Sequence, residues 1–133
     1  MAIRKINRTE VAPKKLPSRF FQELVSHKVL KSKGIALRFV ELLPVREAGA
    51  RHPHSHRAME EVIFVQNGTG KAWVNGEVEK IVTGDTILIP AGTRHMMINT
   101  RRKPMILICA FSAADPENRY KEHPEINYSV LFS

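Results

Sequence analysis

Cysteine is almost absent from this chain, since Cys109 is the only one in 133 residues. A single thiol cannot close an internal disulfide, and its place within the apolar run Met105 to Phe111 predicts a small core residue. Long hydrophobic runs are absent too, because no apolar stretch approaches the ~18 residues that suggest a membrane span. Met1 to Arg8 lead into no apolar segment of the kind that a signal peptide contains. We therefore expect a cytoplasmic protein.

Acidic residues are scarce in the first part of the chain. Residues 1–38 contain ten Lys or Arg but only Glu10 and Glu23, and the remaining residues balance, so the net charge of +8 belongs to an N-terminal arm. Aromatic side chains do not interleave with these charges as a nucleic-acid groove requires. We interpret the arm as a solvated basic face and expect no nucleic-acid partner, while an anionic partner stays open as the alternative.

Short β-type runs separated by turn residues make up most of the chain after the arm. Asn75-Gly76 lies between the β-type runs Lys71 to Val74 and Glu77 to Ile81, and this arrangement is a strong hairpin signal. Many short runs joined by Gly or Pro predict an all-β sandwich or barrel. Three segments follow from this pattern: an arm over residues 1–34 that packs on the barrel or on a partner subunit, a barrel core over residues 35–111, and a tail over residues 112–133.

Two further elements are predicted outside the barrel core. Ser18 is a suitable cap for a short helix, in which Phe20, Phe21, Leu24 and Val25 recur at helical spacing. An extended arm is the alternative. Near the end of the chain, large apolar or aromatic residues occupy every second position: Ile126, Tyr128, Val130 and Phe132. This spacing predicts an edge strand on this chain or on a neighbouring one.

Histidines and one glutamate supply the candidate chemistry. His54 and His56 lie two residues apart, so in a strand both imidazoles face the same side and can hold one ion. If Glu61 shares the inward face with the apolar residues that follow it, its buried carboxylate needs a metal or another partner. A register shift by one residue would turn Glu60 inward instead. His95, just after a Pro-Ala-Gly turn, adds a third imidazole.

These residues and the glycines around them resemble the cupin superfamily. Its first motif extends here from Gly49 to Gly68, with one residue fewer than the family pattern before the first histidine. Its second motif is complete: Gly84, Pro90, Ala91, Gly92, His95 and Asn99. The resemblance implies a single-domain double-stranded β-helix, or jelly-roll barrel, in which His54, His56, Glu61 and His95 hold one divalent transition metal. Mn or Fe(II) is favoured, and Zn, Ni or Co is possible.

A metal held by four protein groups keeps open positions for a ligand, so we expect a small-molecule site. Ile63, Val65 and Met97 fall in phase with the metal ligands and should form an apolar floor. Four arginines near the pocket are candidates to bind a carboxylate: Arg38, Arg51, Arg57 and Arg94. His52 should lie near the mouth, whereas His27, Trp73 and His123 receive no role in the chemistry.

The preferred function is a metal-dependent enzyme, a dioxygenase or decarboxylase, acting on a small acidic or oxygenated organic molecule. The alternative is a non-catalytic cupin that binds a ligand for sensing or storage, because the fold does not decide between the two. A sugar isomerase or epimerase ranks lower, since no base except His52 stands out. Cupins commonly pair, and the apolar residues of the arm are consistent with a homodimer.

Overall fold

The computed structural model describes residues 2–48 and 51–126, and these form two antiparallel β-sheets that face each other. One sheet has six strands in the order β1-β2-β3-β10-β5-β8, and the other has five in the order β11-β4-β9-β6-β7. The strands are β1 Lys14–Leu16, β2 Arg19–Val25, β3 Ala36–Leu42, β4 His54–His56, β5 Glu61–Asn67, β6 Thr69–Val74, β7 Glu77–Val82, β8 Thr86–Ile89, β9 His95–Asn99, β10 Met105–Phe111 and β11 Tyr120–Glu122. The predicted all-β barrel is confirmed.

Helical structure is limited to short segments. The described residues contain one four-residue α-helix, Val45–Ala48, and 3-10 turns at Arg8–Glu10 and Pro116–Arg119. No helix in the described ranges has the length and apolar character needed to cross a bilayer.

The core lies between the sheets because the central strands alternate in burial. In β3 and β10 every second residue is buried, which is the period of a strand with one face toward a core. Val65, Met105 and Leu107 are each at most 3% exposed in this core. Trp73 packs instead with Met96 and Ile98 in a second, smaller cluster, which agrees with a packing role.

The Asn75-Gly76 hairpin is confirmed. Asn75 has φ +47° and Gly76 has φ +93°, the left-handed conformations that a tight two-residue turn between β6 and β7 requires. Gly68, between β5 and β6, has φ +122°, and an added Cβ would contact Met105 there. The sequence pattern therefore placed both of these reversals correctly.

The predicted helix after Ser18 is wrong, because residues 19–25 form strand β2, which pairs with β3. The apparent helical spacing has a physical cause. A register shift between Glu23 and Val25 interrupts the alternation of the strand, so that apolar residues fall on positions that also suit a helix. The run Lys28 to Leu30 is also not a strand, since Leu30 and Lys31 take positive φ in a turn. Of the predicted edge strand, only Ile126 lies within the described residues.

Candidate metal centre

Three strands bring the four predicted ligands together. His54 and His56 both occupy β4, Glu61 begins β5, and His95 begins β9. His54 is paired directly with His95 across β4 and β9, so their side chains leave the same face of the sheet. Glu61 reaches them from the opposite sheet and is 5% exposed, whereas Glu60 is exposed. The alternative register, with Glu60 inward, is excluded.

The spacing of the ligand atoms suits one ion. The four candidate atoms all lie within 4.8 Å of one another. A Glu61 carboxylate oxygen is 2.9 Å from Nε2 of His95 and 3.5 Å from Nε2 of His56. Ligand atoms bound ~2.1 Å from one metal are separated by roughly 3 to 4.2 Å. Shifts of a few tenths of an ångström therefore suffice to seat an ion.

Unpaired ring nitrogens provide the test of whether a metal fits. Nδ1 of His95 donates a hydrogen bond to the carbonyl of Thr93, at 2.8 Å, so Nε2 is the ring nitrogen that faces the cluster and could bind a metal. Within the part of the chain that the structure describes, Nδ1 of His54 and Nδ1 of His56 are buried without a hydrogen-bond partner, and Nε2 of His56 has only the 3.5 Å approach to Glu61. Buried polar atoms without partners are costly, and a shared cation would satisfy them.

Electrostatics keep the cluster in the state that binds metals. Burial lowers the pKa of His54 well below its ordinary value, and the nearby His95 and Arg19 lower it further. Burial also lowers the pKa of His56. Burial alone would raise the pKa of Glu61, but hydrogen bonds with His56 and His95 more than offset it and bring the value to about 2. Neutral imidazoles beside an ionised carboxylate are suitable metal ligands.

The donor set of the cluster, three imidazole nitrogens and one carboxylate oxygen, belongs to the class that binds first-row transition metals more readily than Mg²⁺ or Ca²⁺. His54, His56, Glu61 and His95 therefore form a site that can hold a metal ion.

The cluster opens into a pocket of about 50 Å³. The pocket lies between the sheets, with polar groups at the ligand cluster and apolar side chains around it. Its lining residues outside the cluster include Leu16, Arg19, Phe21, Arg38, Val40, Leu42, Arg51, Ile63, Met97, Leu107, Cys109, Phe111 and Tyr120. A pocket with this combination of polar and apolar groups is suited to a small ligand.

The predicted ligand-contacting residues divide between this pocket and the surface. Arg38, Arg51, Ile63 and Met97 line the pocket. Arg94 points away, because its guanidinium lies 3.4 Å from the side-chain oxygen of Asn75 in an exposed contact. Arg57 is exposed, and Val65 is buried in the core without lining the pocket.

Arg19 and Tyr120 also line the pocket, and the sequence argument missed both. Arg19 occupies β2, where the incorrect helix prediction hid its alternation with Phe21, which would have placed both side chains on one face. Tyr120 occupies β11, beyond the segment that resembles cupins, so no pattern pointed to it. Cys109 is a pocket-wall residue whose pKa is raised well above its ordinary value by burial, which agrees with an unreactive thiol.

A hydrogen-bond chain secures the outward face of β4. Ser55 Oγ lies 2.7 Å from Nε2 of His123, whose Nδ1 lies 3.0 Å from the Glu125 carboxylate. Because a carboxylate only accepts, Nδ1 donates to Glu125 and Nε2 accepts from Ser55. The backbone N–H of His123 also donates to the carbonyl of Pro53. This chain fixes a three-residue strand whose register with β9 consists of a single pair.

Replacing Ser55 by alanine should destabilise the metal-free protein by about 1–2 kcal/mol, because Nε2 of the buried His123 loses its donor. Thermal unfolding of the Ser55→Ala variant measures this effect. Glu125→Gln serves as the control and should change stability by less than about 0.5 kcal/mol, since the Glu125 side chain is 62% exposed. Equal unfolding temperatures for Ser55→Ala and the unmodified chain would show that the hydrogen-bond chain does not hold β4.

Similar proteins agree with this architecture. An uncharacterized protein of Methanocaldococcus jannaschii is 32% identical over 56 residues, which cover 42% of this chain and 45% of that protein. The match thus spans less than half the length of this relative. A predicted oxalate decarboxylase from Thermotoga maritima has 19% identity and a TM-score of 0.68, covering 81% of this chain and 97% of that chain.

Two further solved structures share the fold. Oxalate decarboxylase from Bacillus subtilis has a TM-score of 0.75 at 18% identity, over 92% of this chain but 32% of that chain. A variant of Streptomyces PAC13 with uridine has a TM-score of 0.76 at 16% identity, over 97% of each chain. Identities this low establish the shared fold alone. A family model described as "Cupin domain" matches residues 39–111, more than half of the sequence, and the chain therefore belongs to the cupin family.

Proposed function

We propose that this cupin is a metal-dependent enzyme acting on a small acidic or oxygenated organic molecule, as a decarboxylase or dioxygenase. His54, His56, Glu61 and His95 would hold one divalent ion per chain, with Mn or Fe(II) favoured and Zn, Ni or Co possible. The observation that carries the proposal is the convergence of four buried ligands at the end of a pocket that also contains arginine side chains. A bound divalent ion would supply Lewis-acid or redox chemistry to a substrate oxygen.

The remaining pocket residues would bind and orient the substrate. Arginine guanidinium groups along the wall attract a carboxylate, whereas Leu16, Ile63, Met97 and Leu107 exclude water around its carbon skeleton. Two of the structural neighbours described above are oxalate decarboxylases, one of them predicted. They make a carboxylic acid a reasonable first choice of substrate, although their identities to this chain are below 20%.

A non-catalytic ligand-binding or sensor role is the second candidate. Among the described residues that line the pocket, Tyr120 and Cys109 are the obvious proton carriers outside the ligand cluster. The raised pKa of Cys109, caused by burial, makes its thiol a poor acid at neutral pH. A scarcity of proton donors favours ligand binding without turnover.

Turnover assays distinguish the two candidates. The purified protein is stripped with a chelator, reloaded with Mn(II) or Fe(II), and offered a panel of small carboxylic and hydroxy acids. Release of CO₂ or consumption of dioxygen, absent when the stripped protein is used, would support the enzyme. Binding measured by calorimetry without turnover would support the sensor. If no acid binds and no gas is released or consumed, the proposed function is contradicted.

The same proposal includes a homodimer, but the surface that supports it differs from the predicted one. The apolar residues of the arm serve this chain's own barrel, because Phe21 is buried within its pocket and β2 pairs with β3. The outward face of the six-stranded sheet instead exposes large apolar residues. Val62 is 38% exposed, Phe64 37% and Leu88 58%. A continuous apolar patch on a sheet face is characteristic of an interface.

Phe64→Lys should convert the dimer to monomer at micromolar concentration, because a lysine would be buried at the centre of the interface. Sedimentation velocity measures the change in mass. Val78→Lys is the matched control, since Val78 is an apolar residue, 47% exposed, on β7 of the opposite sheet. A monomeric unmodified chain, or equal effects of the two variants, would refute pairing through this face.

A further inference from the structure

Arg19 is a buried cation that the described structure leaves without an anion. Its residue is 8% exposed, and its side chain lines the pocket. Within residues 2–48 and 51–126, Nη1 donates to the carbonyl of Pro17 at 3.0 Å, and no carboxylate lies within ion-pair distance. A guanidinium has five N–H donors, so one carbonyl leaves most of them available. A buried charge in this state is costly unless an anion joins it.

Arg38 shows the contrast. Its Nε and Nη2 lie 3.2 and 3.1 Å from one carboxylate oxygen of Glu23 in a buried ion pair. The ring of Phe21 lies 4.4 Å from its guanidinium carbon. Arg38 is therefore already neutralised by this chain, whereas Arg19 retains the capacity to bind an anion from outside.

The position of Arg19 relative to the ligand cluster defines the ligand. The ring of Tyr120 contacts both, with its centroid 5.1 Å from that of His54 and 6.0 Å from the guanidinium carbon of Arg19. Once the cluster is loaded, it carries a positive charge of its own, because Glu61 neutralises only one charge of a divalent ion. Arg19 is a second positive centre in the pocket, and Arg51, whose Nη1 donates to the carbonyl of Met97 at 2.7 Å, is a third.

We propose that the pocket selects small organic dianions, and specifically dicarboxylates with a short apolar spacer. One carboxylate would lie at the ligand cluster, and the other would be bound by Arg19. Leu16, Phe21 and Leu107 line the same pocket and would contact the carbon chain. This inference rests on the proposed function, since it names the substrate class of the same site.

Calorimetry on the Mn(II)-loaded protein tests the selection. Straight-chain dicarboxylates of three to six carbons are compared with the monoamide of each, which has the same length but one charge fewer. We expect the best dicarboxylate to bind about 10- to 100-fold more tightly than its monoamide, the range of a charge-assisted hydrogen bond to a guanidinium. This comparison needs no variant and so does not depend on whether a substitution folds.

Arg19→Met removes the charge and keeps an unbranched side chain of similar length. In this variant the dicarboxylate should lose about 10- to 100-fold in affinity, the monoamide less than about 3-fold, and Mn(II) content should stay at that of the unmodified chain. Arg94→Met is the matched control, because Arg94 lies outside the pocket, and should change neither affinity. Equal affinities for dicarboxylate and monoamide overturn this inference alone. If neither acid binds while another small acid is turned over, the inference fails and the proposed function stands.

Discussion

Replacing His95 by alanine is expected to lower the metal content of the purified protein from about one ion per chain to a trace. His95 is 1% exposed, its Nε2 faces the Glu61 carboxylate at 2.9 Å, and its hydrogen bond to Thr93 fixes the orientation of its ring. Removing a group that hydrogen-bonds to a metal ligand typically lowers metal affinity 10- to 100-fold. Removing the ligand itself should therefore lower the affinity more than ~100-fold. Elemental analysis and titration with Mn(II) measure both quantities.

His27→Ala is the matched control for His95→Ala. His27 is an exposed histidine beside Glu117, remote in sequence from the cluster, and its removal should leave metal content and affinity as they are. If the His95→Ala variant takes up metal with unchanged affinity while remaining folded, the assignment of the four ligands is wrong.

Gly70→Ala should cause a large loss of stability. Gly70 lies on β6 and is paired with Asn99 of β9, and a Cβ added there would collide with the backbone carbonyl of Ile98. Backbone atoms in a paired strand cannot withdraw without breaking the β6–β9 ladder that also carries His95. We expect destabilisation of about 3 kcal/mol and a fall in Tm of roughly 10 °C.

Gly34→Ala tests whether that loss is specific. An added Cβ at Gly34 meets no atom within 4 Å, so the free energy of unfolding should change by less than about 0.5 kcal/mol. Thermal or urea unfolding of both variants in parallel gives the comparison. Similar unfolding temperatures for the two variants would contradict the close packing of β6 against β9.

Local sequence patterns predicted the barrel and the strand faces on which the candidate ligands lie, because both depend on short-range rules. The two-residue period places His54 with His56 on one face and Glu61 with Ile63 on another, whatever the rest of the chain does. The Asn75-Gly76 turn depends only on the conformations available to those two residues. Residue spacing does not show that these two faces meet at one site. That part of the prediction depended on the family resemblance.

Features that depend on distant contacts were not predictable in the same way. The register shift in β2 is set by pairing with β3, so the sequence of the arm alone suggested a helix. Arg19 and Tyr120 enter the pocket only because β2 and β11 join opposite sheets. Arg94 follows the turn before β9 but contacts Asn75 of the neighbouring hairpin, a partner that sequence spacing does not reveal.

X-ray absorption spectroscopy at the metal K-edge of the unmodified, Mn- or Fe-loaded protein tests the central claim most directly. The account predicts nitrogen and oxygen neighbours at ~2.1 Å, the outer scattering of about three imidazole rings, and no sulfur neighbour, because Cys109 is not part of the ligand cluster. A spectrum without imidazole scattering, or with a sulfur neighbour, would contradict it.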